Sequence, residues 1–358
     1  MKRYTPLAFL LVALFLTGCG PKSSPRHSTV WIGGFGGLQV FDSDHPETMI
    51  SVPGVGNVQH MVYWEQTYSA GRLVGLDASC GNCSKLFFDG PDGRDLKVLD
   101  LQSTPALPAS SVRTIDLGHQ VVGEIATGDI AGLNDFAGGY IFVSIPSQSS
   151  ILVIDPIKEK VINTIQLPPN TQVYAMAALL DGGYASAYGK IFTFDIHNST
   201  PTATIDLGNS LTSLAIGGMN SDLLIATAFD AGKVYVLNAT PGTNLSIANE
   251  FDLPGAANIA PFRLADIAFV VGKTSVYKVT LRGDDAGTQL YDVPVGPCPF
   301  ALRKLSFSRF SFAPPLLVIN NCADTLYDSS GNYPTVKGPA VLVEQPSPAI
   351  DTQATQTK

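Results

Sequence analysis

The stretch Ile151-Leu152-Val153-Ile154-Asp155 decides the fold, because the chain repeats its form: a short apolar run with β-branched or aromatic members, closed by a polar stop. The form returns at Leu38–Asp42, Lys85–Asp89, Ile191–Asp195, Val234–Asn238, Val276–Thr280 and Thr325–Asp328. Seven instances result, and their last residues are separated by 47, 66, 40, 43, 42 and 48 residues. A period of about 40–50 residues is that of a four-stranded unit which cannot bury its apolar faces until it stacks on a copy of itself. The 66-residue step asks for an insertion, and Ser103–Ser111, rich in Pro and Ser, is the candidate.

A second mark follows most copies: Ile50–Pro53, Ile115–Gly118, Ile165–Pro168, Ile205–Gly208, Phe251–Pro254 and Tyr291–Pro294. Alternation that ends on Pro or Gly reads as an outer edge strand, since Pro cannot donate to a ladder. Almost continuous apolar runs lie between the marks, such as Tyr140–Val143 and Ala268–Val271, and suit strands buried on both faces. No helical periodicity follows the first twenty residues. The reading is all-β: a seven-bladed β-propeller of four-stranded antiparallel blades over residues 29–345, rather than a sandwich or barrel. The closing strand Pro339–Glu344 either completes the first blade and shuts the ring, or stays in the seventh.

Ile141–Ser144, Ser150–Asp155 and Val161–Ile165 together resemble the YVTN repeat of bacterial surface and periplasmic propellers. Val295–Leu302 leading to Leu317–Asn321 and Thr325-Leu326 resembles it too, while the other copies are degenerate. The resemblance implies a fold and an exported location, and no single chemistry.

The N-terminus speaks to location as well. Lys2 and Arg3 precede the apolar run Leu7–Phe15, which is too short to span a bilayer, and Leu16-Thr17-Gly18-Cys19 follows. This order resembles the lipobox of bacterial lipoproteins, and an ordinary secretory signal is the alternative. The resemblance implies a signal peptide at 1–18 and a lipidated Cys19 heading a tether, 19–28, whose Pro and Ser content fits a flexible linker. Gly20, in place of Asp, resembles the pattern of lipoproteins sent to the outer membrane, so the expected location is the cell envelope with a palmitate-type anchor. Residues 346–358 are polar and read as a disordered tail.

Composition narrows the partners. With 45% hydrophobic and 15% charged residues, 34 glycines and 25 prolines, the chain is turn-rich and carries too much apolar material for disorder. A net charge of −8 argues against a nucleic-acid partner. The membrane, through the lipid on Cys19, and another envelope protein or polymer are the expected partners.

Candidate chemistry is sparse. Of five histidines, His27 lies in the tether and His45 and His197 beside turns, so only His60 and His119 sit where an inner strand or the loop before it could present them. No local His or carboxylate spacing marks a zinc site, and no cofactor is expected. Cys80-Gly81-Asn82-Cys83 is followed by Ser84, so it cannot attach a c-type haem. Four cysteines besides Cys19 in an exported chain favour disulfides. The start of an inner strand and the turn between the second and third strands share one end of a blade, which pairs Cys298 with Cys322 and leaves Cys80 with Cys83. Crosswise pairing, or four thiols on a metal, are the rivals. Asp89–Asp95 reads as a solvated hairpin turn, with Ca²⁺ binding the lesser reading because the distal Glu is missing. Gly33–Gly37 reads as a hairpin and not a phosphate loop. The expected function is that of a non-enzymatic binding or scaffold protein. The alternatives are a metal-dependent lactonase-like hydrolase and an accessory subunit of an extracellular redox system.

Overall fold

The computed structural model describes residues 28–43, 45–65, 67–69, 72–74, 84–101, 112–129, 137–218, 221–239, 244–262, 265–296, 298–304, 316–320, 325–328 and 339–346. Within them nearly everything regular is strand, and one 3-10 turn, Pro146–Gln148, is the helical exception.

The strands come as consecutive antiparallel meanders. β1 (Ser28–Gly34), β2 (Gly37–Asp42) and β3 (His45–Ser51) open the chain. The next meander is β4 (Met61–Glu65), β7 (Ser84–Asp89), β8 (Leu96–Leu101) and β9 (Val112–Ile115), interrupted by a separate hairpin of β5 (Thr67–Ser69) and β6 (Arg72–Val74). There follow β10 (Ile125–Asp129), β11 (Ala137–Ile145), β12 (Ser150–Asp155) and β13 (Lys160–Gln166), then β14 (Ala175–Leu179), β15 (Gly182–Ala187), β16 (Lys190–Asp195) and β17 (Ala203–Asp206). β18 (Ser213–Gly217), β19 (Leu223–Ala228), β20 (Lys233–Asn238) and β21 (Ser246–Asp252) come next. They lead to β22 (Asn258–Pro261), β23 (Ile267–Val271), β24 (Ser275–Thr280) and β25 (Gln289–Pro294). A three-stranded sheet, β26 (Pro299–Lys304), β27 (Leu316–Asn320) and β28 (Thr325–Asp328), precedes the final β29 (Pro339–Pro346).

β29 does not join the sheet before it. It pairs antiparallel with β1, Trp31 opposite Val343, and makes the four-stranded sheet β29-β1-β2-β3. Joining the last strand to the first covers two edges that would otherwise present unpaired backbone groups. The first strands of the meanders then follow one another in a closed circuit: β29 against β4, then β10, β14, β18, β22, β26 and back to β29. β10 and β14 even pair directly, in parallel, at Gly128–Ala178. The architecture is a propeller-like arrangement of antiparallel four-stranded sheets.

Stacking supplies the core, with apolar layers between neighbouring sheets. Trp64, Phe87 and Val98 meet Ile141, Val143 and Ile154, while Phe142, Ile151 and Val153 meet Ala185, Phe192 and Phe194. β12, β15 and β19 are buried along their whole length, whereas β13 and β21 are exposed or partly buried except at Ile165. The difference has a simple cause. An interior strand is covered on both faces, each buried Ile, Val or Phe contributing about 1.5–3 kcal/mol, and the outer strand meets water.

Two sequence expectations shift. Lys85–Asp89 is not equivalent to the other copies: it is the second strand of its meander, where Ile191–Asp195, Val234–Asn238 and Val276–Thr280 are third strands, and β8 holds the third place. Both positions are buried on both faces and carry similar apolar runs, so periodicity alone could not separate them. The 66-residue step therefore starts one strand early, and the connection 102–111, which contains Ser103–Ser111 and lies outside the described residues, falls within it; the β5–β6 hairpin belongs to the step before.

An antiparallel meander puts the start of its first strand, the turn between strands two and three, and the exit of strand four at one end. That end is called the entrance end below; the other turns lie at the far end.

Candidate functional site

His60, Asp89 and Glu124 meet at the entrance end. His60 precedes β4, Glu124 precedes β10, and Asp89 closes β7, so two neighbouring meanders contribute. Asp89 is almost fully buried and its Oδ1 accepts the backbone N–H groups of Gln59 (2.8 Å) and His60 (2.9 Å). A carboxylate there satisfies the peptide groups of the segment that turns into the inner strand, and so fixes the imidazole's place. His60 Nδ1 stands 3.8 Å from Asp89 Oδ2, and His60 Nε2 3.7 Å from Glu124 Oε1. Both gaps exceed a hydrogen bond, and the buried Nδ1 has no hydrogen-bond partner.

The charges follow the geometry. Burial pulls the His60 pKa down, but the interaction with Asp89 and the charge of Glu124 outweigh it, and the net shift is upward. Burial also raises Glu124, against a smaller pull from His60. A protonatable imidazole beside a carboxyl that retains its proton longer than usual can exchange a proton with a bound molecule.

Asp95 repeats the device of Asp89 one turn further on. It is buried, and its Oδ1 accepts the N–H groups of Leu117 and His119. The expected solvated turn at Asp89–Asp95 is thus corrected at two of its three carboxylates: only Asp92 is exposed, because the others carry backbone of the loops that enter the next sheet. His119 is a surface residue, its Nδ1 3.1 Å from Asp95 Oδ2. His45 is exposed on β3, and the His197 N–H donates to Asp195 in a turn. No group of three His, Cys, Asp or Glu able to hold a metal occurs among the described residues.

The entrance end also displays aromatic rings. Phe35, Tyr188 and Phe229 are 75%, 59% and 50% exposed, and each is the first residue after the second strand of its sheet. Tyr174, before β14, packs edge-on against Tyr188 with ring centroids 5.5 Å apart. Gly33–Gly37 is the hairpin expected, with Gly34 paired to Gly37 across Phe35-Gly36. Sequence reading missed Glu124 and these rings. An aromatic one to three residues ahead of a turn glycine was the signal available at Gly36, Gly189 and Gly232.

The far end is built differently. Buried Lys85 donates to the Pro156 carbonyl (2.8 Å) and to Glu159 Oε1 (2.7 Å). Arg113 forks onto Asp100 at 2.7 and 2.9 Å and onto Glu159 through Nε at 2.9 Å. Asn163 and Asn249 make neutral versions of the same clasp, donating to the carbonyls of Ile196 and Leu281 in the next meander. Arg282 reaches back to Asp222 at 2.6 Å.

Cys298 lies at the entrance end, immediately before β26, and is disulfide-bonded; its partner lies outside the described residues, as do Cys19, Cys80, Cys83 and Cys322. Cys322 falls between β27 and β28, the turn between a second and a third strand, whereas Cys80 and Cys83 fall between β6 and β7, ahead of a second strand.

Solved structures share this arrangement. The chain is similar to the periplasmic gluconolactonase of Pseudomonas aeruginosa, with a TM-score of 0.57 and 14% identity over 90% of this chain and 100% of that one. It is similar to a protein from Lactobacillus plantarum, with a TM-score of 0.61 and 11% identity over 89% and 99%. Streptogramin B lyase gives 0.50 and 14% over 76% and 86%. The fold is a β-propeller. At such identities the likeness shows the fold and nothing finer. No protein-family model matches the chain, and no curated protein matches it by sequence. No helix among the described residues is long and apolar enough to cross a membrane.

Proposed function

We propose that the chain is a seven-bladed, lipid-anchored envelope propeller with YVTN-type repeats that holds another envelope component at its entrance end, as a binding or scaffold protein rather than an enzyme. The observation that carries the reading is the set of exposed rings, Phe35, Tyr188 and Phe229, delivered to one end by three separate sheets. Each exposed ring costs solvation, and three of them on the turns of one end offer a partner several apolar contact points. Among the described residues the remaining exposed large apolar ones, apart from Val121 and Tyr174 at the same end, are Ile50, Val161, Ile162, Ile247 and Leu290 on outer strands.

Topology adds a direction. Ser28 pairs with Pro346 at the far end, so a tether to a lipid on Cys19 leaves from there and turns the entrance end away from the membrane. A lipoprotein cysteine with several acyl chains anchors stably where one chain does not, at about 0.8 kcal/mol per buried CH₂. Cys298 pairs with Cys322 on this reading, and closing a loop of about 25 residues contributes roughly 3–4 kcal/mol in the chain-entropy account. Membrane fractionation of wild type and Cys19→Ser, followed by capture of envelope components on wild type and on Phe35→Ala/Phe229→Ala, tests the proposal. A Cys19→Ser protein that stays in the membrane, or captures that ignore the rings, would overturn it.

One observation favours a second reading, a hydrolase or lyase: His60 Nε2 and Glu124 Oε1 stand 3.7 Å apart at the entrance end, and both groups hold their protons longer than usual. The names of the gluconolactonase and lyase neighbours are compatible with it. Lactone turnover by the purified protein that is lost in His60→Ala, with metal analysis alongside, would establish this alternative.

A further inference from the structure

We infer that Tyr174 and Tyr188 form an oxidative cross-linking site, where a one-electron oxidant arriving from solvent joins the two rings by a carbon–carbon bond and locks the entrance end of the meander β14–β17. The inference goes beyond the binding reading above and does not depend on it. It starts from an outlier. Tyr188 and Gly189 are the two residues of the β15–β16 turn, closed by Ala187 opposite Lys190, with φ +48° and +81°. Such a turn wants Asn or Asp before Gly, because a side chain with a bulky Cβ substituent crowds the backbone at positive φ. A tyrosine costs strain that the turn itself does not need, and strain held in place points to a role for the side chain.

What the ring meets defines the role. The Tyr174 N–H donates to the Ser186 carbonyl at 2.9 Å, which holds this residue beside the turn as the chain enters β14. The two ring centroids are 5.5 Å apart and the planes stand at 88°. Hydrogen bonding to Tyr188, followed by burial, raises Tyr174 above the usual phenol range, so the hydroxyls meet as well as the rings. An edge-on partner takes up a ring face that a stacked ligand would need. Both rings are open to solvent, at 37% and 59% exposure, whereas Tyr63, Tyr184 and Tyr235 are buried away from a dissolved oxidant. A side chain as exposed as Tyr188 changes rotamer on the ps–ns scale, which lets its ring swing against that of Tyr174.

The chemistry asks nothing of the protein beyond two phenols. The oxidant is a peroxide activated by a peroxidase. It takes one electron from each ring, and each hydroxyl sheds its proton, which leaves two phenoxyl radicals. These couple between the carbons next to their oxygens, and the hydrogen on each of those carbons moves to the oxygen and restores a phenol. Two hydrogen atoms leave the protein, and one hydrogen peroxide becomes two waters. The new bond ties the entry of β14 to a turn whose Gly189 carbonyl already accepts the Leu207 N–H at the exit of β17. Like a disulfide, it closes a loop and constrains the unfolded chain.

The test exposes the full lipidated chain in detergent micelles to hydrogen peroxide and a haem peroxidase. Three readouts follow: the fluorescence of coupled phenols, the masses of digest peptides and the thermal midpoint. A peptide spanning both tyrosines should be lighter by two hydrogen atoms, the chain should stay monomeric under denaturing conditions, and the midpoint should rise. Tyr174→Phe and Tyr188→Phe should each lose the light peptide while melting like untreated wild type, because Phe keeps the ring and removes only the phenol. A wild type that yields no light peptide, or one that couples only between separate copies, overturns the inference. So does a yield no higher in the folded protein than in urea, since nearness in sequence would then suffice. Coupling that leaves the midpoint level or lower overturns the lock.

Discussion

The two ends of this propeller use charge in opposite ways. At the far end Lys85, Arg113, Asp100 and Glu159 form a closed set, with contacts such as 2.7 Å from Lys85 to Glu159 and from Arg113 to Asp100. At the entrance end His60 stands 3.7 Å from Glu124 and 3.8 Å from Asp89, and one imidazole nitrogen has no hydrogen bond. The contrast extends to proton affinity. Burial raises Glu159, but hydrogen bonds from Arg113 and Lys85 outweigh it and the carboxyl ends below its usual range, whereas Glu124 ends above it. Saturated pairs clamp neighbouring sheets; spaced groups at a loop-lined end are left for other work.

The largest test of that contrast is Glu159→Ala. It strips Lys85, only 7% exposed, of its closest anion and should cost about 3–5 kcal/mol in chemical unfolding. A loss under about 1 kcal/mol would reduce the far-end network to an ordinary surface pairing. Asp89→Ala comes next, because it leaves the Gln59 and His60 N–H groups without an acceptor. A cost of about 1–3 kcal/mol is expected, with faster hydrogen exchange at those two amides as its local signature.

A pH series sharpens the comparison with a smaller effect. A raised His60 contributes stability that is complete below about pH 6.5 and is lost as pH climbs through its folded value. The raised Glu124 acts in the same direction from about pH 4.3 upward. The lowered Glu159 does the reverse: its contribution is present above about pH 4.3 and is lost as pH falls through its folded value. His60→Gln should therefore flatten the decline above about pH 6.5 and leave the acid loss set by Glu159 alone, and a variant that changes only that acid loss would contradict the assignment. Smallest is Tyr188→Asn, expected to stabilise by about 1 kcal/mol through relief of the left-handed conformation.

Much of the fold was legible from residues. The copies at Ile191–Asp195, Val234–Asn238 and Val276–Thr280 recur once per meander, as their period of about 40–50 residues implies, and the Pro- or Gly-ended marks are outer strands. Lys85–Asp89 slipped by one strand because two adjacent interior strands bury both faces and lose any distinguishing alternation. Of the candidate site, His60 was visible as a residue ahead of an inner strand, but its partners were not. Asp89 was assigned to solvent from the turn-like company of Gly90, Pro91 and Gly93, and Glu124 carried no motif.

The sequence by itself determined the repeat, the all-β class and the division into buried and edge strands, since these depend on side-chain periodicity within a few residues. Tertiary structure alone decided that β29 joins β1, because both candidate sheets offered it a similar apolar partner and only closure of the circuit covers the edges. It also decided which carboxylates turn inward and which rings share an end. The inward carboxylates depend on contacts between residues 22 to 30 positions apart, as from Leu117 to Asp95 or from Gln59 to Asp89, and no local pattern encodes them.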